Sequence, residues 1–197
     1  MNIASFNTLF QACIVQYHLT DNVDTPLQNP YQEGTVQYLL FRKNWIDIVQ
    51  WHLEDLIRAE GINPIEALQI KRRIDHSNQD RTDLVEQIDE LVYADYANVA
   101  KQENARVNTE TPAWAIDRLS ILNIKLYHMQ EETERTDATP AHIEKCKQKF
   151  AVLQQQEIDL TIAIQQLITE LKSGACIVKT YKQMKMYNDP SLNPVLR

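Results

Sequence analysis

Apolar residues recur every three or four positions along most of the chain, a spacing that predicts α-helix rather than strand. A first helix is predicted from about Ser5 to Leu19, with Phe6, Leu9, Phe10, Cys13, Ile14 and Tyr17 on one face. A loop rich in Asp, Asn and Pro leads into a second helix reaching about Ala59. Gly61, tolerant of positive φ, ends that helix. Asn63, Pro64 and Glu66 then combine an N-cap, a first-turn proline and a capping-box-like glutamate. No Gly or Pro occurs between Ile65 and Thr111, so the third helix is predicted to exceed about 35 residues. Thr111-Pro112 and Thr139-Pro140 start a fourth and a fifth helix, the fourth ending near Thr136 and the fifth closed by Gly174. No β-hairpin signal interrupts residues 1–174. The pattern predicts an all-α, single-domain bundle of about five long, mostly antiparallel helices over 1–174, with a non-bundle tail at 175–197.

The helix faces show where polar groups enter the interior. The fifth helix keeps a heptad repeat, with Ile143, Phe150, Glu157, Ile164 and Leu171 at one seam position. Cys146, Leu153, Leu160 and Leu167 hold the other, and Glu157 breaks the seam at its centre. The fourth helix is apolar on two sides (Leu119, Leu122, Leu126 and Met129; Ile121 and Ile124), which suits a central position. Asn123 falls on the first side, while Asp117 and His128 flank the second. The third helix has a predicted core stripe of Ile70, Ile74, Ser77, Arg81, Leu84, Ile88, Leu91, Asp95 and Val99, with Asn78 beside it. On the second, Phe41, Trp45, Ile48, Val49, His52 and Leu56 share one side. Asn44 and Asp55 mark one border of that side and Arg42 the other.

Composition narrows the function classes. A chain of 197 residues with 44% apolar and 24% charged side chains can build a real core. A net charge of −7 opposes binding to phosphate backbones, so no nucleic-acid partner is expected. No apolar run approaches the ~18 residues of a membrane span. The first thirteen residues carry no basic side chain, which argues against a signal peptide. Three widely spaced cysteines read as reduced, buried thiols of a cytoplasmic protein. With only three glycines, phosphate loops and nucleophile elbows lack material, and GxxxxGK[ST], GxSxG, HExxH and paired CxxC motifs are absent. No histidine follows a glutamate at i+3, which removes the Glu-x-x-His ligand pair of di-iron bundles. Glu86-x-x-Asp89 and the Glu131, Glu132 and Glu134 group carry the residue types of an all-α nucleotide pyrophosphohydrolase. The first pair lies off or at the edge of the core stripe, and the second near a helix end.

A dispersed polar set remains: Arg42, Asn44, His52, Asp55, Asn78, Arg81, Asp117 and Glu157. Buried polar groups need partners, so the set forms either an interhelical pocket or a hydrogen-bonded network that fixes helix register. As a pocket, His52 would be base or ligand, Asp55 would orient it, and Arg81 would clamp a small anionic or sugar-nucleotide ligand. No metal is the primary expectation; the alternative is an oxygen-preferring cation on His52, Asp55, Asp117 and Glu157. Cofactors stay open. In the tail, Tyr181, Met184, Tyr187, Asn188 and Asp189 are candidates for binding a protein partner or a second copy, unless the segment folds back over one end of the bundle.

Three segments carry a resemblance: RKNWIDIVQWHLEDLIR (42–58), TPAWAIDRLSILNIKLYHM (111–129) and KMYNDPSLNP (185–194). They resemble an uncharacterised family of bacterial proteins of about this length, known only as a domain of unknown function. The WHLED and YNDPxxNP words are the specific ones, and DRLSIL also resembles a short word of other glycan-associated helical proteins. The resemblance implies a surface-polysaccharide context, because members are often encoded beside glycosyltransferases, and it supplies no catalytic residues. The expected function is that of a soluble accessory or binding protein supporting surface-glycan assembly. Two alternatives stand beside it. One is a metal- or His-assisted hydrolase or transferase acting on a phosphorylated or sugar-nucleotide substrate; the other is a structural interaction module. Whether the protein is an enzyme stays open.

Overall fold

The computed structural model describes residues 2–183, 186 and 189–196. Among them are five α-helices: α1 (Ala4–His18), α2 (Val36–Leu56), α3 (Pro64–Ala94), α4 (Pro112–Glu134) and α5 (Pro140–Ser173). Two short strands, β1 (Arg106–Val107) and β2 (Cys176–Ile177), pair in parallel. The fold is the predicted all-α bundle.

Helix starts follow the sequence signals. Side chains of Thr35, Asn63, Thr111 and Thr139 accept hydrogen bonds from the backbone N–H of Tyr38, Ile65, Trp114 and His142. Prolines occupy the first turns of α3, α4 and α5, where a missing N–H costs nothing. α4 lies in the middle and packs against α1, α2, α3 and α5, as its two apolar sides require. All six residues of the predicted α1 face are buried. The heptad seam of α5 is buried at Ile164, Leu167 and Leu171 and half-buried at Phe150, Leu153 and Leu160.

α3 is shorter than expected. It ends at Ala94, and Val92 and Tyr96 are buried where Leu91 and Asp95 were predicted to be. Both predicted residues are exposed. The stop comes from a tertiary partner rather than from Gly or Pro. The loop after α3 docks on the end of α5, where the Gln102 N–H donates to Gly174 O and the Gln102 side chain to Ser173 O. The backbone N–H groups of Arg106 and Asn108 bond Ala175 and Ile177. Gly174 sits at φ 74, and a Cβ there would lie 2.1 Å from the Ala100 carbonyl oxygen. Only glycine lets the loop rest on this helix end.

The chain beyond α5 starts inside the core, with Cys176 and Val178 buried. Cys13, Cys146 and Cys176 are all buried free thiols. The Gln183 N–H donates to Glu86, laying this segment along α3. Tyr181 is exposed, and the Asp189 carboxylate accepts bonds from Ser191 in a local turn. Met184, Tyr187 and Asn188 lie outside the described residues. No helix among the described residues is long and apolar enough to cross a membrane.

Candidate functional site

α2 is buried over a wider arc than one face, and the extra width holds charge. Lys43 is 1% exposed and Asp47 6%. Sequence reasoning missed both; their signal was an i,i+4 Lys–Asp pair beside Asn44. Lys43 Nζ lies 2.5 Å from Asp47 Oδ2 and 2.5 Å from Asp117 Oδ1 on α4. From α3, Arg81 Nε lies 2.7 Å from Asp47 Oδ1, and its Nη2 lies 3.1 Å from Asp117 Oδ1. Ser120 donates to Asp47 over 2.7 Å and receives a bond from the Asn44 amide over 2.9 Å. Gln50 extends the chain of bonds, donating to Asn78 and accepting from Ser77.

Two cations and two carboxylates therefore close on one another inside the α2–α3–α4 junction. Burial alone would push the Asp117 carboxyl up, but Lys43 and Arg81 together hold it below the usual aspartate value. Burial works against the Arg81 charge as well, and Asp47 and Asp117 outweigh it. Such a closed set fixes helix register, and removing one partner strands a buried charge at a cost of about 3–5 kcal/mol. The Arg81 fork is already occupied, so it is not a free anion clamp.

The structure brings Asn44, Asn78, Arg81 and Asp117 together and leaves the other predicted pocket residues elsewhere. Arg42 is exposed. Asp55 is exposed too, on the rim of a cleft beside the network. Glu157 faces a separate cavity between α1, α4 and α5, where its Oε1 is buried without a hydrogen bond and burial pushes its carboxyl up. Asp89, read as lying off or at the edge of the core stripe, is buried and caps α4 by accepting from Thr111 Oγ1 and the Ala113 N–H.

The cleft beside the network has a volume of about 310 Å³. The Trp51 indole, Ile121 and Ile124, Gln50, the carboxylates of Asp47, Glu54 and Asp55, and the guanidinium groups of Arg58 and Arg81 line it. Arg58 already pairs with Glu54 at 2.9 Å. Flat polar forks around an aromatic face suit a hydroxyl-rich ring better than a bare anion.

His52 belongs to another cluster. Its ring centroid lies 5.3 Å from that of His18 at the end of α1 and 5.4 Å from that of His128 on α4. His18 and His128 are 5.3 Å apart. Tyr127 stacks on His18, Tyr17 on His52 and Trp51 on His128. His18 Nδ1 lies 2.7 Å from the Ile14 carbonyl oxygen and His128 Nδ1 2.9 Å from Glu131 Oε2, so each has its other nitrogen to spare. The Nε2 atoms of all three are buried and make no hydrogen bond among the described residues. Burial lowers the His52 pKa; Asp21 opposes this, while His128 and His18 add to it. A second group of metal-ligand types, Glu132, His142 and Cys146, stands where α4 ends and α5 begins, about one turn of α4 beyond His128, and there Glu132 already binds His142 and Arg135.

A family described as "Protein of unknown function (DUF4254)" matches residues 37–180, from the start of α2 to beyond β2. The chain belongs to this family. No curated protein and no solved structure matches the chain. The DUF4254 span contains the charged network, the cleft, His52 and His128, while His18 and Asp21 precede it.

Proposed function

We propose that this DUF4254 protein is an accessory binding protein that holds a sugar-bearing ligand in the cleft at Trp51. The carrying observation is the lining of that cleft, where the Trp51 indole and the Ile121 and Ile124 side chains meet Gln50, Asp55 and the Glu54–Arg58 pair. Carboxylates accept hydrogen bonds from hydroxyls, an indole covers a ring face, and the exposed Arg58 would turn from Glu54 to a phosphate carried by the sugar. The surface-glycan context implied by the resemblance agrees with this ligand class.

Calorimetric titration with free sugars, sugar phosphates and nucleotide sugars tests the reading. Trp51→Ala and Asp55→Ala should each weaken binding of whichever ligand responds by about tenfold or more. Unchanged affinity in both variants removes the cleft as the site. A second reading, a His-assisted hydrolase or transferase on the same ligand, has one observation in its favour. Trp51 stacks on His128 at 5.1 Å, so the imidazoles stand just behind the cleft wall. Product release from a bound sugar phosphate, lost in His128→Phe, would establish it.

A further inference from the structure

We propose that His18, His52 and His128, with Asp21 as fourth donor, form a binding site for one divalent transition metal ion of the zinc type. The site stands independently of the sugar cleft.

Geometry carries the inference. A tetrahedral ion holds imidazole nitrogens at about 2.1 Å, and the ring centre lies roughly 1.2 Å further out, which sets centroids about 5 Å apart. The three centroid separations are 5.3, 5.3 and 5.4 Å. One ring nitrogen of each histidine lies within 4.8 Å of those of the other two. A shift of side chains by a fraction of an ångström closes that triangle onto an ion.

Tautomer and lone pair agree with ligation. His18 Nδ1–H can donate to a backbone carbonyl and His128 Nδ1–H to a carboxylate, the outer contacts that metal-bound histidines make. These bonds turn Nε2 into the lone-pair atom. The Nε2 atoms are the buried, unbonded ones in all three rings. Aromatic packing alone would be served by Phe or Tyr and would not gather three unmatched acceptors in one place. Tyr127, Tyr17 and Trp51 instead brace the imidazoles by stacking.

Asp21, the proposed fourth donor, stands beside the triangle on the His52 side. It takes φ 46, a left-handed backbone that aspartate tolerates better than most residues, and its N–H bonds Tyr17 O over 3.0 Å to end α1. This turn brings Oδ1 to 3.7 Å from His52 Nε2. A solvent-open cavity lined by Tyr17, Asp21, His52 and Asp55 gives an ion its entry path. Three nitrogens and one carboxylate select zinc, cobalt, nickel or copper over magnesium and calcium.

The test titrates chelator-treated, dialysed full-length protein with Zn²⁺ by calorimetry and with Co²⁺ by visible absorbance. We expect one ion per chain and the absorption bands of tetrahedral Co²⁺. His52→Phe and His128→Phe keep a ring in the stack and should lower affinity by about 100-fold or more, with Asp21→Asn about tenfold weaker. His142→Ala, in the separate Glu132–His142–Cys146 group, should change nothing. Circular dichroism checks that each variant folds, and His52→Gln replaces His52→Phe if that chain does not. Absence of stoichiometric binding in the native chain overturns the site, as does undiminished binding in the His52 and His128 variants. Loss of binding in His142→Ala also overturns it, by placing the ion at the other group.

Discussion

α2 carries two polar clusters on different flanks, and they differ in whether each charged or lone-pair group faces an opposite partner. On one flank Lys43 and Asp47 meet Arg81, Asp117, Ser120 and Asn44, and the charges balance. On the other, His52 meets two more imidazoles, and three buried nitrogens stay unbonded. A cluster closed by charge pairing holds helices together. An open one is costly to keep and points to a ligand.

Breaking the closed cluster should give the largest effect. Lys43→Met leaves Asp47 and Asp117 facing Arg81 alone and should cost about 3–5 kcal/mol in urea unfolding. Replacing Lys43, Asp47, Arg81 and Asp117 together by apolar residues of similar volume should cost far less than the sum of single changes. A near-zero cost for Lys43→Met would remove the network from any structural role.

The same cluster predicts an acid dependence. The Asp117 pKa in the fold is below its ordinary value of 3.8. The unfolded chain therefore binds the extra proton first, so Asp117 contributes stability above the ordinary aspartate pKa and loses it as pH falls through the folded value. Asp117→Asn should be less stable than the native chain at pH 7 by about 3 kcal/mol, and the gap should narrow toward pH ~3. A gap of constant size across that window would show that the carboxylate's charge is not what matters.

The open cluster should respond in the opposite sense. Without metal, His128→Phe should change stability by only about 1 kcal/mol, because it removes an unmatched nitrogen and keeps the stack. With Zn²⁺ at about 100 times its Kd, the native chain should gain roughly 2.7 kcal/mol and the variant almost nothing. Thermal melts with and without the ion measure both.

These two clusters were not equally legible in the sequence. Capping pairs such as Thr111-Pro112 and the heptad of α5 are local, and both reappear in the structure. Arg81 could be named as needing a partner because it interrupts an apolar stripe, as could Asp95, which the structure leaves exposed; Asp117 only flanks an apolar side. Lys43 and Asp47 could not be named, because an i,i+4 pair of opposite charges looks like a solvated helix flank until α4 is laid over it. The histidine triangle is less readable still. His18 and His128 approach His52 only through the way α1 and α4 cross α2, and no spacing in the chain encodes that crossing. The early end of α3 has the same origin, since the loop that replaces its last turns is paired with Gly174 and β2, some 70 residues away.

Glu157 is a third case, a lone acid in an apolar seam, and it refines the comparison at its smallest scale. Burial raises its carboxyl pKa, and among the described residues Tyr127 is the only other titratable side chain lining its cavity. A raised pKa means that the folded chain holds the proton longer, so stability falls as pH rises through the folded value. Glu157→Gln removes the ionisation and should raise Tm by roughly 1–2 °C at pH 7. Near pH 4 native Glu157 is protonated and the two melts should coincide. A Tm gain of equal size at both values would mean that the glutamine helps by packing, and the carboxyl would then belong with the closed, charge-tolerant half of the molecule rather than the open one.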